Sequence, residues 1–345
     1  MIQPTCPLPV LHYDKIVMGH GSGGQMTEEL VRDIFAPAFG MPKQLGDAAV
    51  LSKVDNGHLV FSTDSFVVQP LFFPGGNIGS LAVSGTVNDV AMMGATPLYL
   101  SVGFILEEGL QLDKLRQIVN TMADTARDAG VCIVTGDTKV VERGHGDGVY
   151  INTAGVGVQL GLEGPHSGNA KPGDVLLVNG TLGDHGMAIM GVRHGLNLGD
   201  ALCSDAAPLN GLVKALLTVC PNIHVLRDLT RGGLAAATHE IAQDSGVMIE
   251  IEEACVPVKE TVRGACEMLG FDVLQVANEG KLLAIVDASD ADVVLNTMQA
   301  HPLGKEAACI GRVTDVSEGM VICKTAFGST RVMDMPVGEL LPRIC

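Results

Sequence analysis

IGSLAVSGTVNDVAMMGATPLYLSVGFIL, residues 78–106, carries a single charged residue, Asp89. Its length suits a membrane span, but Asp89, the glycines and Pro97 interrupt it. Small and apolar residues fall on most faces of the first part, which reads as a buried helix over 77–93. The second part, 97–106, is rich in β-branched and large apolar residues and reads as a buried strand. Working toward the N-terminus, strands are expected at 58–68 and 48–51, with a helix at 26–35. Toward the C-terminus, Leu112, Leu115, Ile118, Val119, Met122 and Ala126 recur at helical spacing and define a helix over 112–129. Strands follow at 131–135 and 149–159. Alternating strands and helices indicate an α/β domain.

The turn Lys171-Pro172-Gly173-Asp174 separates this domain from a second α/β run. Strands are expected there at 175–179, 248–252, 281–286, 310–313, 320–324 and 330–333. Helices are expected after the glycine-rich turn 180–186 and at 205–219, 233–243, 260–269 and 288–299. The division is therefore an arm at 1–18, a first domain at 19–170, a second at 171–333 and a tail at 334–345. Prolines and the lack of any periodic pattern make the tail extended and mobile.

The 345 residues suffice for two domains, and 47% of them are hydrophobic. Forty-three glycines suit tight turns and close backbone approaches. A net charge of −17, with no tryptophan, argues against nucleic acid and anionic membranes as partners. An anionic substrate remains compatible if metal ions bridge it to carboxylates. Nine scattered cysteines without a Cys-x-x-Cys pair argue against a disulfide framework or a zinc ribbon, and suit a cytoplasmic setting. The proline-broken start does not read as a signal peptide.

Four aspartates stand in unusual settings: Asp47, Asp64, Asp89 and Asp137. Isolated carboxylates in apolar surroundings are costly unless paired or bound to metal, and oxygen-only sites suit Mg²⁺. Each taken alone reads first as an ordinary cap or turn residue, and spacing does not show that they converge. The turns 21–24, 75–76 and 180–186 offer backbone N–H groups to phosphate, or are simply turns. Lys139, two residues after Asp137, faces the same side of a strand and either meets a phosphate or forms a local ion pair. Asp228 reads as a helix cap. Glu279 follows apolar residues and is a candidate general base with a raised pKa, or a turn residue. Cys345 ends the sequence, and it is not a prenylation motif, which needs the cysteine four residues from the end.

Taken together, His20-Gly-Ser-Gly-Gly24, Ser62-Thr-Asp-Ser65, Pro70 to Gly76, Asn88-Asp-Val-Ala91, Thr135-Gly-Asp-Thr-Lys-Val140, Gly180 to Gly186, Thr230-Arg-Gly-Gly233, Ala277-Asn-Glu-Gly-Lys281 and Pro342-Arg-Ile-Cys345 resemble the HypE family of hydrogenase maturation carbamoyl dehydratases. The terminal Pro-Arg-Ile-Cys distinguishes that family within a wider ATP-binding superfamily of aminoimidazole ribonucleotide synthetase, selenophosphate synthetase and thiamine-phosphate kinase. The resemblance implies a two-domain α/β fold that dimerises through the strands of the first domain. It implies ATP bound by His20, Gly21, Ser22, Gly23, Gly24, Thr63, Asn88, Lys139 and Arg231, with Mg²⁺ on Asp47, Asp64, Asp89 and Asp137. Cys345 would be carbamoylated by HypF, then dehydrated to a thiocyanate with Lys139 and Glu279 as catalytic residues. The cyano group would pass to a HypC–HypD complex for [NiFe]-hydrogenase. A small-molecule kinase or synthetase and a non-enzymatic assembly scaffold are the competing readings.

Overall fold

The computed structural model describes residues 13–22, 25–41, 51, 57–159, 164–196, 202–316, 319–325, 327–333 and 343–345. The expected strand at 48–50, Asp47, Gly23 and Gly24, the arm up to residue 12 and tail residues 334–342 lie outside them.

The first domain opens with a 3-10 turn at Met18–Gly21, then α1 (Gln25–Leu30) and α2 (Ala36–Phe39), which a π-helical turn at Val31–Phe35 joins end to end. A four-stranded sheet follows, ordered β1-β6-β4-β5, from β1 (His58–Phe66), β4 (Thr96–Glu107), β5 (Cys132–Val141) and β6 (Val149–Gln159). The short β2 (Phe72–Phe73) and β3 (Gly76–Asn77) form a hairpin. Two helices, α3 (Ile78–Met92) and α4 (Leu112–Ala129), belong to the core beside the sheet.

Helix α3 is the hub. Asn77 caps it by accepting the Gly79 N–H at 2.8 Å, and Ser80 Oγ accepts the Asn77 N–H at 3.1 Å. Every residue of α3 is buried except Asp89. One side packs on the sheet, where Gly157 lets the helix approach: a methyl group there would collide with Val90 and lie 2.8 Å from the Thr96 carbonyl. The other side joins the core of the second domain through Ala91 and Met92. The opposite face of the sheet is bare, with Leu59 and Phe61 each 68% exposed and Ile105 44%.

The second domain is built on a seven-stranded sheet ordered β13-β12-β9-β11-β7-β10-β8. Its strands are β7 (Val175–Val178), β8 (Val225–Asp228), β9 (Val247–Glu252), β10 (Leu282–Val286), β11 (Ala308–Val316), β12 (Met320–Lys324) and β13 (Thr330–Val332). Its helices are α5 (Asp184–Arg193), α6 (Asn210–Val219), α7 (Gly233–Ser245), α8 (Glu260–Leu269) and α9 (Ala291–Ala300). The two-domain α/β expectation holds.

Several boundaries differ, for identifiable reasons. The helix expected from 205 begins at Asn210, because Pro208 disfavours helix before it and Leu209 N–H is held by Asn88 Oδ1 at 2.7 Å. The helix expected from 288 begins at Ala291, since Asp287 Oδ1 first forms a turn with the Ser289 N–H and hydroxyl. Strand β8 was not anticipated: four residues are too few to show a period, and pairing with β10 defines it. Asp228 therefore ends a strand, while the cap position of α7 belongs to Gly232.

Candidate functional site

The site forms where the end of β1, the loop after β8 and the loop before β10 meet. Ser62 and Asp64 alternate toward α3 on β1, and Ser62 Oγ–H donates to Asp89 Oδ2 at 2.7 Å. Burial, then the charge of Asp228 and that of Asp64, push the Asp89 carboxyl up to about 6 against the Ser62 bond. Burial also raises Asp64, opposed by the Ser65 N–H (2.7 Å) and by Arg231. Asp228 is raised by burial and by Asp64. Three acids thus resist ionising together, and a cation would relieve that repulsion. Carboxylate oxygens are the donors that Mg²⁺ accepts, so the chemistry of Asp64, Asp89 and Asp228 fits the ion.

Glu279 sits deeper, at 3% exposure. Its N–H donates to Asp205 Oδ1 at 3.0 Å, and Asp205 is paired with Lys281 at 3.2 Å. Burial, then the charges of Asp205, Asp228 and Asp64, hold the Glu279 carboxyl well above the usual carboxylate range. The Cys345 thiol lies within hydrogen-bonding reach of that carboxyl and opposes the rise. Oε1 has no well-aligned partner among the described residues.

The last three residues bring the thiol there. Val67 N–H donates to the Cys345 carbonyl and Gln69 N–H to the Arg343 carbonyl, each at 3.2 Å, so the segment runs antiparallel beside the chain that leaves β1. Ile344 is 3% exposed and belongs to the apolar core that the first domain shares with α5 and α8. Burial and the Glu279 charge raise the Cys345 thiol far above its ordinary value, while Arg231 hydrogen-bonds to it and opposes the shift.

The expected site residues divide between two faces of the first sheet. Asp64 is in register with Thr153, Thr153 with Val102, and Val102 with Gly136. Registered neighbours share a face, so Asp137 points to the opposite face from Asp64, three strands and about 14 Å away. Asp137 and Lys139 form an exposed ion pair there, at 2.9 Å. Thr63 lies on that same face, with Asn152 Nδ2 at 3.4 Å from its hydroxyl. The His20–Ser22 turn adjoins β5, and Gly21 is packed against Val140. Within one chain Asp137 does not join Asp64 and Asp89. Among the described residues no three or more His, Cys, Asp or Glu are grouped closely enough to hold a metal, so Asp64, Asp89 and Asp228 offer donors of the right kind without a closed coordination shell.

Three expected ligand contacts are occupied by the protein. Asn88 donates to the Ala207 and Glu279 carbonyls at 3.1 and 3.3 Å and accepts from Leu209, so it joins two loops. His20 Nδ1 accepts the Val17 N–H at 3.0 Å, and its ring is buried. The turn 180–186 donates inward, Leu182 to Pro257, Gly183 to Asn278 and Gly186 to Ala277, which leaves those N–H groups no phosphate to cradle. Sequence reading missed Asp205 and the role of Asp228. The run Asp228-Leu-Thr-Arg231 was visible, but only β8 shows that it ends beside Asp89.

Family models for the N-terminal and C-terminal domains of AIR synthase related proteins match residues 45–159 and 171–324. The carbamoyl dehydratase HypE of Cupriavidus necator is 51% identical over 333 residues, covering 96% of this chain and 95% of that protein. A crystal structure of hydrogenase maturation protein HypE in complex with ATP superposes with a TM-score of 0.92 at 47% identity, covering 95% of this chain and 99% of that one. The HypE of a HypE–HypF complex matches with a TM-score of 0.78 at 47% identity, covering 91% of this chain and 100% of that one.

Proposed function

The chain belongs to the HypE family of carbamoyl dehydratases, and from that premise we propose that it dehydrates an S-carbamoyl group on its own Cys345 to a thiocyanate, using ATP. The observation that carries this reading is the Cys345 thiol set against the buried Glu279 carboxyl and Arg231.

An amide oxygen is a poor leaving group in water. Transfer of the γ-phosphoryl group of ATP to the carbamoyl oxygen, with loss of one N–H proton, makes it a good one. The C–O bond then breaks, phosphate departs with that oxygen, the second N–H proton leaves and the C≡N bond is complete. The products are the thiocyanate, ADP and phosphate. Phosphoryl transfer needs positioning and charge neutralisation more than a protein nucleophile. Asp64 and Asp89, with Asp228 beside them, would hold Mg²⁺, which when bound neutralises phosphate charge. Glu279 accepts a nitrogen-bound proton, and for that it must be ionised, so its raised pKa makes it a stronger base once the proton is gone. Arg231 lies against the sulfur that carries the group.

Lys139 would steady the γ-phosphate from the bare sheet face, together with Asp137 and the His20–Ser22 turn. A homodimer joined through that face would cover Leu59, Phe61 and Ile105 and bring those residues against a second copy. HypF supplies the carbamoyl group in this reading, in keeping with the HypE–HypF complex of a relative, and HypC–HypD accepts the cyano group for the hydrogenase iron. The setting is cytoplasmic; among the described residues no helix is long and apolar enough to cross a membrane.

The test follows the mass of the C-terminal peptide after S-carbamoylated protein is incubated with ATP and Mg²⁺. Loss of one water from Cys345 is expected, and an unchanged mass despite bound ATP refutes the proposal. Cys345→Ala should retain nucleotide binding and lose cyanation.

A further inference from the structure

Arg343, Ile344 and Cys345 are held by more than the two backbone bonds to Val67 and Gln69. The Ile344 carbonyl accepts from His185 Nε2 at 2.8 Å. A carbonyl only accepts, so the proton is on Nε2, and Nδ1 takes the Ser204 hydroxyl proton at 2.7 Å. Ser204 Oγ in turn accepts the Ala206 N–H at 3.1 Å. The imidazole is fully buried, lies edge-on to Phe73 at 5.7 Å, and is kept neutral by its burial. This chain of bonds fixes one tautomer and aims one donor at the tail.

Arg343 is the only non-glycine residue with positive φ among the described residues, at 54°. That left-handed conformation is unfavourable for a side-chain-bearing residue and persists where surroundings enforce it. Here Asp147 takes the guanidinium at 3.0 Å. Arg193 donates both to the Gln69 carbonyl and to the Arg343 carbonyl, tying the tail to the segment it lies against. Arg193 and Arg343 repel one another, and the Asp147 carboxylate offsets that repulsion.

We infer that Asp147 and His185 are positioning residues that read the Arg-Ile-Cys end and hold the Cys345 sulfur against Glu279 and Arg231. The ligand class that fits is a peptide end with a basic residue, a branched apolar residue and cysteine in that order. Asp147 selects the first, the apolar core the second, and His185 sets the depth of the third. The inference rests on Cys345 as the substrate-bearing residue, but its test does not depend on the reaction.

Full-length protein is treated with iodoacetamide without nucleotide or carbamoyl donor, and labelling of each cysteine is followed by peptide mass spectrometry. A docked thiol is shielded, so the Cys345 rate reports the undocked fraction. Asp147→Asn breaks a partly exposed ion pair and should speed Cys345 labelling by about two- to fivefold. His185→Leu leaves the Ile344 carbonyl without its donor and should speed it by roughly tenfold. His185→Gln restores an N–H donor and should return the rate toward that of the parent protein. Cys220 and Cys323, buried in clusters that do not include the tail, should keep their parent rates. Unchanged Cys345 rates in both Asp147→Asn and His185→Leu, or faster labelling only in step with those buried cysteines, overturn the inference. Intact shielding in a protein that fails to dehydrate would instead count against the proposed reaction alone.

Discussion

Replacing Glu279 with glutamine tests the chemistry and the electrostatics of the site at once. The carboxyl is 3% exposed and faces the charges of Asp205, Asp228 and Asp64, so its folded pKa lies well above the ordinary 4.5. In the unfolded chain it ionises near 4.5. Between those two pH values the folded state holds one proton more than the unfolded state, and stability therefore falls as pH rises. The limiting slope is about 1.4 kcal/mol per pH unit. A glutamine has no proton to lose and, among neighbouring carboxylates, has acceptors for its amide. Glu279→Gln should match the parent protein near pH 4.5 and exceed it by about 1–3 kcal/mol near pH 7, with a melting temperature several degrees higher. Thermal unfolding of both proteins across that range reads the effect. The same variant should bind ATP and leave the S-carbamoyl group intact, since the proton acceptor is gone. A stability difference that does not grow with pH, or dehydration at the parent rate, would show that the reasoning about this carboxyl is mistaken.

Lys259→Met should cost about 2 kcal/mol, because Asp184, 2% exposed, keeps Thr181 as its one side-chain partner among the described residues once its 2.8 Å ion pair is lost. Adding Asp184→Asn to that variant should recover most of the loss in chemical denaturation, and no recovery would mean that the pair is not the cause. Gly157→Ala should cost about 1–3 kcal/mol by forcing α3 away from β6, and the shift of neighbouring Asp89 should weaken nucleotide binding measured by calorimetry. Unaltered stability would show that the helix has room to spare.

What could be read from the sequence depended on how local each cause was. The buried character of α3 and the amphipathic face of α4 are written in adjacent residues, and both elements lie within two residues of where the pattern puts them. Asp89 drew attention as one acid in an apolar helix, and it is the one residue of that helix left partly open. The meeting of Cys345 with Glu279 has no local trace, since 65 residues separate them and only the docked Arg343–Cys345 segment joins them. Asp64 and Asp137 looked equivalent as strand-flanking acids, yet strand register assigns them to opposite faces. Asn88 enters the ligand set only through the family resemblance, and nothing in its neighbouring residues marks its amide for the backbone of two loops, a demand visible only once those loops are packed.

The docked segment also changes how the reaction would be counted. Cys345 and Glu279 belong to one polypeptide, so in the proposed reaction the carbamoyl group and its proton acceptor are already joined, and only ATP must arrive by diffusion. With ATP saturating and the proposed homodimer intact, the rate per molecule should be first order in carbamoylated protein. A short tether holds its cargo at an effective concentration on the order of millimolar. Free thiocarbamates would need comparable abundance to compete, so connectivity itself screens out stray substrates.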